Sequence, residues 1–171
     1  MQNNWIKYGV VFVLIVLVQG LVVNNIQLNE YLNPMVYPII ILILPFELNV
    51  LLTMIVALLL GISVDALSDT FGLHASAALF IGYIRPTIMK YIRPYDGYDS
   101  SLIPIIQDMG LKWYIVYGSI LLFFHHLWFF TFEILRFDLF ALIVRKTFLS
   151  FFFSLALIVL FQYIFYKPSK K

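Results

Sequence analysis

Apolar residues gather into long runs along this chain, and polar positions punctuate them. Five runs, 8–23, 48–67, 71–92, 113–132 and 148–165, approach or meet the length of a membrane helix, which needs roughly 20 apolar residues to cross about 30 Å of hydrocarbon. A sixth, 31–45, is 15 residues long and carries Pro34, Pro38 and Pro45. As a helix it reaches only about 22 Å, so it reads either as a short tilted span or as a re-entrant segment.

The basic residues separate these readings. With six spans and the N-terminus inside, the cytoplasmic segments hold Lys7, Arg85, Lys90, Arg93, Lys112, Lys167, Lys170 and Lys171, eight of the eleven Lys and Arg. The first two outer loops hold none, and the region carries Glu30, Asp65 and Asp69 instead; Arg136, Arg145 and Lys146 fall in the last outer loop. If 31–45 did not cross, every later element would invert and the basic loop and tail would lie outside, against the positive-inside rule. The expected fold is therefore an all-α membrane bundle of about six helices in one domain, 1–171, with both termini cytoplasmic. The first helix reads as retained, because no small-residue cleavage site follows it. The segment 134–146 mixes apolar and charged residues and reads as lying along the outer interface. The stretch 95–110 is the longest polar loop, either a cytoplasmic contact surface or a solvated linker.

Composition agrees. The chain has 171 residues and is 63% hydrophobic and 12% charged, against about 45–50% and about 25% for a soluble domain. It contains no cysteine, which excludes disulfides, zinc–thiolate sites and cysteine nucleophiles. No basic run interleaved with aromatics points to nucleic acid.

The polar residues within or beside the spans need explaining, since a charge at a helix centre costs roughly 2.5–3.5 kcal/mol on insertion scales. Asp65 and Asp69, one helical turn apart, close the third span, and Gly72 and His74 open the fourth. His125 and His126 lie in the outer half of the fifth, which Glu133 ends. In the six-span topology Asp65, Asp69, His74, His125, His126 and Glu133 form an outer polar cluster, either a shared cavity or partner surface, or simply hydrated and capping groups. Adjacent histidines point about 100° apart, so the pair cannot face one site. Asp65, His74 and one of the two histidines offer metal-donor types as a minor alternative, and no metal or other cofactor is assigned. Arg85 is expected to snorkel to the cytoplasmic headgroups, Pro86 to kink its helix, and the pair Ala57 and Gly61 to admit a neighbouring helix closely. No nucleophile triad, phosphate loop or lipid-enzyme motif is present, so no enzymatic activity is expected.

The sequence Gly61-Ile62-Ser63-Val64-Asp65, followed by Phe71-Gly72-Leu73-His74-Ala75 and Gly82-Tyr83-Ile84-Arg85, resembles the MreD family of rod shape-determining proteins. The resemblance covers about 25 residues; size, span number and the short basic tail agree. It implies a multi-pass protein of the bacterial cytoplasmic membrane, within the machinery of cell elongation. It also implies association with an MreC-like bitopic shape protein. Through that protein, or directly, contact would extend to a RodA-like synthase with its class B penicillin-binding protein, and indirectly to MreB filaments. The implied role is non-catalytic scaffolding or regulation of cell shape and lateral peptidoglycan synthesis. The family is in turn similar to the substrate-binding S components of energy-coupling-factor vitamin transporters, six-helix bundles with an outward pocket. Against that alternative, the first helix lacks the pair of small residues four apart on which such components dock their coupling subunit.

Overall fold

The computed structural model describes residues 4–26, 30–99 and 102–166, which are helix and connecting segments without a strand. The tail lysines Lys167, Lys170 and Lys171 lie outside them. Helix α1 (Asn4–Leu17) runs on through a π-helical turn (Val18–Val22) and a 3-10 turn (Val23–Asn25). Then come the single turn α2 (Ile39–Leu42), α3 (Val50–Ser68), α4 (Leu73–Tyr91), the single turn α5 (Ile106–Met109), α6 (Leu111–Ile134), and α7 (Phe140–Phe165). Three stretches, Val50–Ser68, Leu111–Ile134 and Phe137–Phe165, are long and apolar enough to cross a membrane. Helix α4 has 19 residues but includes His74, Arg85 and Lys90.

Local chemistry sets the boundaries. The Asn49 side chain accepts from the Leu51 amide at 2.8 Å and caps α3, satisfying one of the orphan donors of a helix start. Asp69 ends α3 in the left-handed region at φ 50°, and Gly72 at φ 79° turns the chain into α4. Leu135, at φ 47°, terminates α6.

The bundle is inverted relative to a water-soluble fold. Its exterior presents large apolar side chains, among them Leu14, Leu21, Leu51, Leu59 and Phe152, while Gln19, Thr53, His125, Thr147 and Ser154 are buried. An exterior so continuously apolar needs lipid or protein against it.

The segment between α1 and α3 departs most from expectation. Residues 32–36 have no regular secondary structure, a turn follows at Tyr37 and Pro38, and only α2 is helical. The segment nevertheless runs the length of the bundle. The ends of α1 and α3 lie together, with the Asn24 amide donating to Ser68 Oγ at 2.6 Å, so the two helices are parallel and the connection must return. Its contacts track that return: Asn33 with Ser150, Met35 with Ser154, Tyr37 with His125, Leu42 with Tyr117, then Leu44 with Arg85. Every residue from Pro34 to Leu44 is buried. A short helical span is thus the wrong description of 31–45; prolines at 34, 38 and 45 leave too little chain for one, and the segment crosses the bundle mostly unwound.

Unwound backbone away from water must find partners inside the protein, and here buried side chains supply them. Gln19 Oε1 accepts from the Val36 and Tyr37 amides at 2.7 and 3.2 Å, while its Nε2 donates to the Pro34 carbonyl at 3.2 Å. Ser150 and Ser154, one turn apart on α7, accept from the Asn33 and Met35 amides at 3.0 and 2.8 Å. The Tyr117 hydroxyl donates to the Leu42 carbonyl at 3.0 Å, and the Arg85 guanidinium donates to the Leu44 carbonyl. The π-helical turn carries Gln19 inward, the kind of local insertion that re-aims a helical side chain.

Two further expectations change. Residues 140–146 do not form a separate interfacial piece; they are the first turns of α7, tied down by Lys146 donating to Glu133 at 2.7 Å and by Arg145 stacking 4.0 Å from the Tyr31 ring centroid. Among its described residues, the loop 95–110 packs back rather than hanging free. Tyr98 stacks on Phe46 at 4.3 Å and donates to the Met89 carbonyl at 2.8 Å, and the buried Ile106 donates its amide to Gln162 Oε1 at 2.8 Å.

Candidate functional site

The residues of the family-like motif close one hairpin, α3–α4. A Cβ on Gly61 would sit 2.3 Å from Ala75 Cα and 2.7 Å from the His74 carbonyl oxygen, so the two backbones touch there. One turn back along α3 and two turns on along α4, Ala57 meets Gly82, whose added Cβ would lie 3.1 Å from the Ala57 methyl. Small residues facing each other at these positions let the helices approach closely and gain dispersion along their length. Tyr83 points outward.

At the turn end of this hairpin the N-cap position of α4 is Gly72, which has no side chain to cap the helix. Asp65, from the last turns of α3, takes that role. Its Oδ2 accepts from the Ala75 amide at 2.9 Å and its Oδ1 from the His74 amide at 3.0 Å, the Thr70 hydroxyl at 2.5 Å and His74 Nδ1 at 3.0 Å. A carboxylate placed at a helix N-terminus satisfies orphan amides and meets the positive end of the helix dipole. The buried aspartate is therefore the keystone of a turn. Asp65→Ala is expected to cost about 1–2 kcal/mol, the upper range for a lost N-cap, read as a lower melting temperature in detergent, with Asp65→Asn falling between the two.

Above this turn lies a cleft of about 350 Å³ at the end of the bundle where α1, α3 and α6 finish. Asn24, Asn25 and Asn33 contribute from the first connection, Ser68, Asp69 and Thr70 from the α3–α4 turn, His74 from α4 and Glu133 from α6. Of the expected outer cluster, Asp69, His74 and Glu133 thus line one cleft, and Asp65 bonds to His74 beneath it. Glu133 is paired with Lys146.

His125 and His126 stand apart from that cleft, fully buried within the bundle. His125 Nε2 lies 2.5 Å from the Tyr37 hydroxyl, which also donates to the His74 carbonyl at 3.3 Å. His126 sits in a closed chain: Met35 N–H donates to Ser154 Oγ at 2.8 Å, Ser154 to His126 Nε2 at 3.0 Å, and His126 Nδ1–H to the Leu122 carbonyl at 2.7 Å. One neutral tautomer satisfies that whole chain. Both histidines hold the unwound segment in place, and adjacency on α6 sends them to different partners. Among the described residues, no three His, Asp or Glu side chains come together as metal ligands would.

Sequence reasoning passed over Gln19, Ser150, Ser154 and Gln162, the neutral polar groups that the crossing segment and the α5 loop depend on. Lone amides and a pair of serines four residues apart inside otherwise apolar helices were the available signal. No protein-family model, curated protein or solved structure matches this chain.

Proposed function

We propose that this chain is a multi-pass protein of the bacterial cytoplasmic membrane, with six crossings and both termini in the cytoplasm. In this reading it acts as an MreD-like, non-catalytic scaffold or regulator of cell shape and lateral peptidoglycan synthesis. One observation carries the reading: Gly61, Asp65, Gly72, His74, Ala75 and Gly82, six of the eight motif residues of the resemblance, meet in a single structural unit, the close-packed and Asp65-capped α3–α4 hairpin, while Tyr83 points outward and Arg85 bonds to Tyr117 and Leu44. The interior polar groups are spent on holding the fold, and the outward faces of α1, α3 and α7 are apolar. Such faces suit helix–helix contact within a membrane complex. The partners in this reading are an MreC-like bitopic protein and, directly or through it, a RodA-like synthase with its class B penicillin-binding protein, and MreB filaments at one remove.

The polar cleft of about 350 Å³ favours a second reading, the S component of an energy-coupling-factor transporter. The exposed face of α1 opposes it, because Val10, Val13, Leu14 and Leu17 put bulk where such a component needs small residues. Affinity purification of the tagged protein from native membranes in mild detergent, followed by mass spectrometry, separates the two. The elongation reading expects an MreC-like or RodA-like protein to co-purify. Paired ATPases with a transmembrane coupling subunit would overturn it in favour of the transporter.

A further inference from the structure

At the opposite end of the bundle from the cleft, a second pocket of about 220 Å³ opens between α4 and the residues that lead into α3. Three cations line it, Arg85, Lys90 and Arg93, together with the apolar Phe46, Leu48 and Met89; among the described residues no carboxylate does. Arg85 is the informative member. The sequence suggests that it snorkels to the headgroups, but its side chain turns inward and is only 1% exposed. Its protein partners are neutral: Nε donates to the Tyr117 hydroxyl at 2.8 Å and Nη2 to the Leu44 carbonyl. Among the described residues no carboxylate pairs with it, since the ion pairs are His74–Asp65, Arg136–Asp138 and Lys146–Glu133.

A guanidinium removed from water with only neutral acceptors is costly. Lys90 and Arg93 raise that cost by adding like charge nearby. The carbonyl end of α4 offsets only part of it, because a helix terminus carries about half an elementary charge. A ligand bearing negative charge at the mouth of the pocket removes the imbalance, and forked guanidinium donors match phosphate oxygens well. The level in the fold fits a lipid. Tyr91 and Tyr95 stand exposed at the same end of α4, as aromatic side chains do at a membrane–water interface, and the pocket's other wall is apolar.

We infer that this pocket binds the phosphate of an anionic phospholipid headgroup, with Arg85 as the buried anchor and Lys90 and Arg93 as the rim. The inference rests on the membrane reading above and on no protein partner, so it stands or falls separately from the elongation role. The test uses the full chain, delipidated in a non-ionic detergent, with melting followed as phosphatidylglycerol, phosphatidylcholine or inorganic phosphate is added. Phosphatidylglycerol is expected to raise the melting temperature well beyond phosphatidylcholine at equal mole fraction. Lys90 and Arg93 are exposed, so the double variant K90Q/R93Q should fold normally. Its apparent affinity for phosphatidylglycerol should fall roughly 30-fold, as expected for two cations lost near an anionic surface. R136Q/R145Q, altered at the other end, should respond as the unmodified protein does. If millimolar inorganic phosphate reproduces the shift and K90Q/R93Q loses it, the phosphate site is supported and its occupant is the free ion. Equal shifts with both lipids, or an unchanged response in K90Q/R93Q, would overturn the inference.

Discussion

Gln19→Leu is expected to destabilise the protein by roughly 3 kcal/mol or more. The substitution removes the acceptor for the Val36 and Tyr37 amides and the donor to the Pro34 carbonyl, all within a buried, unwound stretch. A buried donor or acceptor left without a partner costs about 1–3 kcal/mol, and three are orphaned together. Leucine is close to glutamine in volume, so packing changes little, and its greater hydrophobicity would favour the buried site, so a net loss reports hydrogen bonding. Gln19→Glu, held protonated by burial, should fall between: its carbonyl oxygen still accepts from both amides, while its single O–H can donate to only one of the two oxygens, Pro34 O and Asn24 Oδ1, that the amide group serves. Thermal or denaturant unfolding in detergent reads the difference. A loss below about 1 kcal/mol for Gln19→Leu, within the range of ordinary polar contacts in membrane proteins, would mean that residues 34–37 do not depend on this side chain.

The second large effect is expected at Gly61. Its neighbour is the Ala75 backbone, 2.3 Å from where a Cβ would be, so Gly61→Val forces α3 and α4 apart. Overpacking of this kind costs typically about 1–3 kcal/mol. The upper end is expected here because the clash is with main-chain atoms. The contrast with Gly82 makes the prediction specific. There the obstacle is the Ala57 methyl at 3.1 Å, so Gly82→Ala should be milder and should be rescued by Ala57→Gly. Ala75→Gly should not rescue Gly61→Val, since Cα and the amide remain. Rescue at both positions would show that the hairpin is looser than the geometry implies.

Much of this fold was legible in the chain. The five long apolar runs correspond to α1, α3, α4, α6 and α7 within a few residues at most ends, because length and hydropathy govern those helices. The pair Ala57 and Gly61 announced a close helix contact, and both make one, against Gly82 and Ala75 of α4. The irregular crossing was only half visible. Pro34, Pro38 and Pro45 showed that 31–45 was a poor helix, but the proof that it still traverses the bundle lies in groups remote in sequence. Asn33 bonds to Ser150 and Met35 to Ser154, more than a hundred residues away. No local pattern encodes such pairings. Ionisable residues drew attention first, yet neutral Gln19, Ser150 and Ser154 do as much to hold the segment. Arg85 was misjudged for a related reason. A long basic side chain near a helix end usually reaches water, and here the Leu44 carbonyl, bared by the unwound segment, and the Tyr117 hydroxyl draw it inward. The outer cluster was partly readable: Asp69, His74 and Glu133 share the cleft, whereas the tertiary course of residues 33–37 claims His125 and His126.

In the proposed topology the unwound segment carries the chain across the membrane, which fixes the orientation of everything after it. Because the sequence contains no cysteine, single-cysteine variants report one position at a time. Glu30 and Glu47 flank the segment and are exposed, so Glu30→Cys and Glu47→Cys can be treated with a membrane-impermeant maleimide in spheroplasts, before and after permeabilisation. The account predicts that position 30 labels in intact spheroplasts and position 47 only after permeabilisation. Labelling of both positions from the same side would contradict the crossing and, with it, the six-span topology.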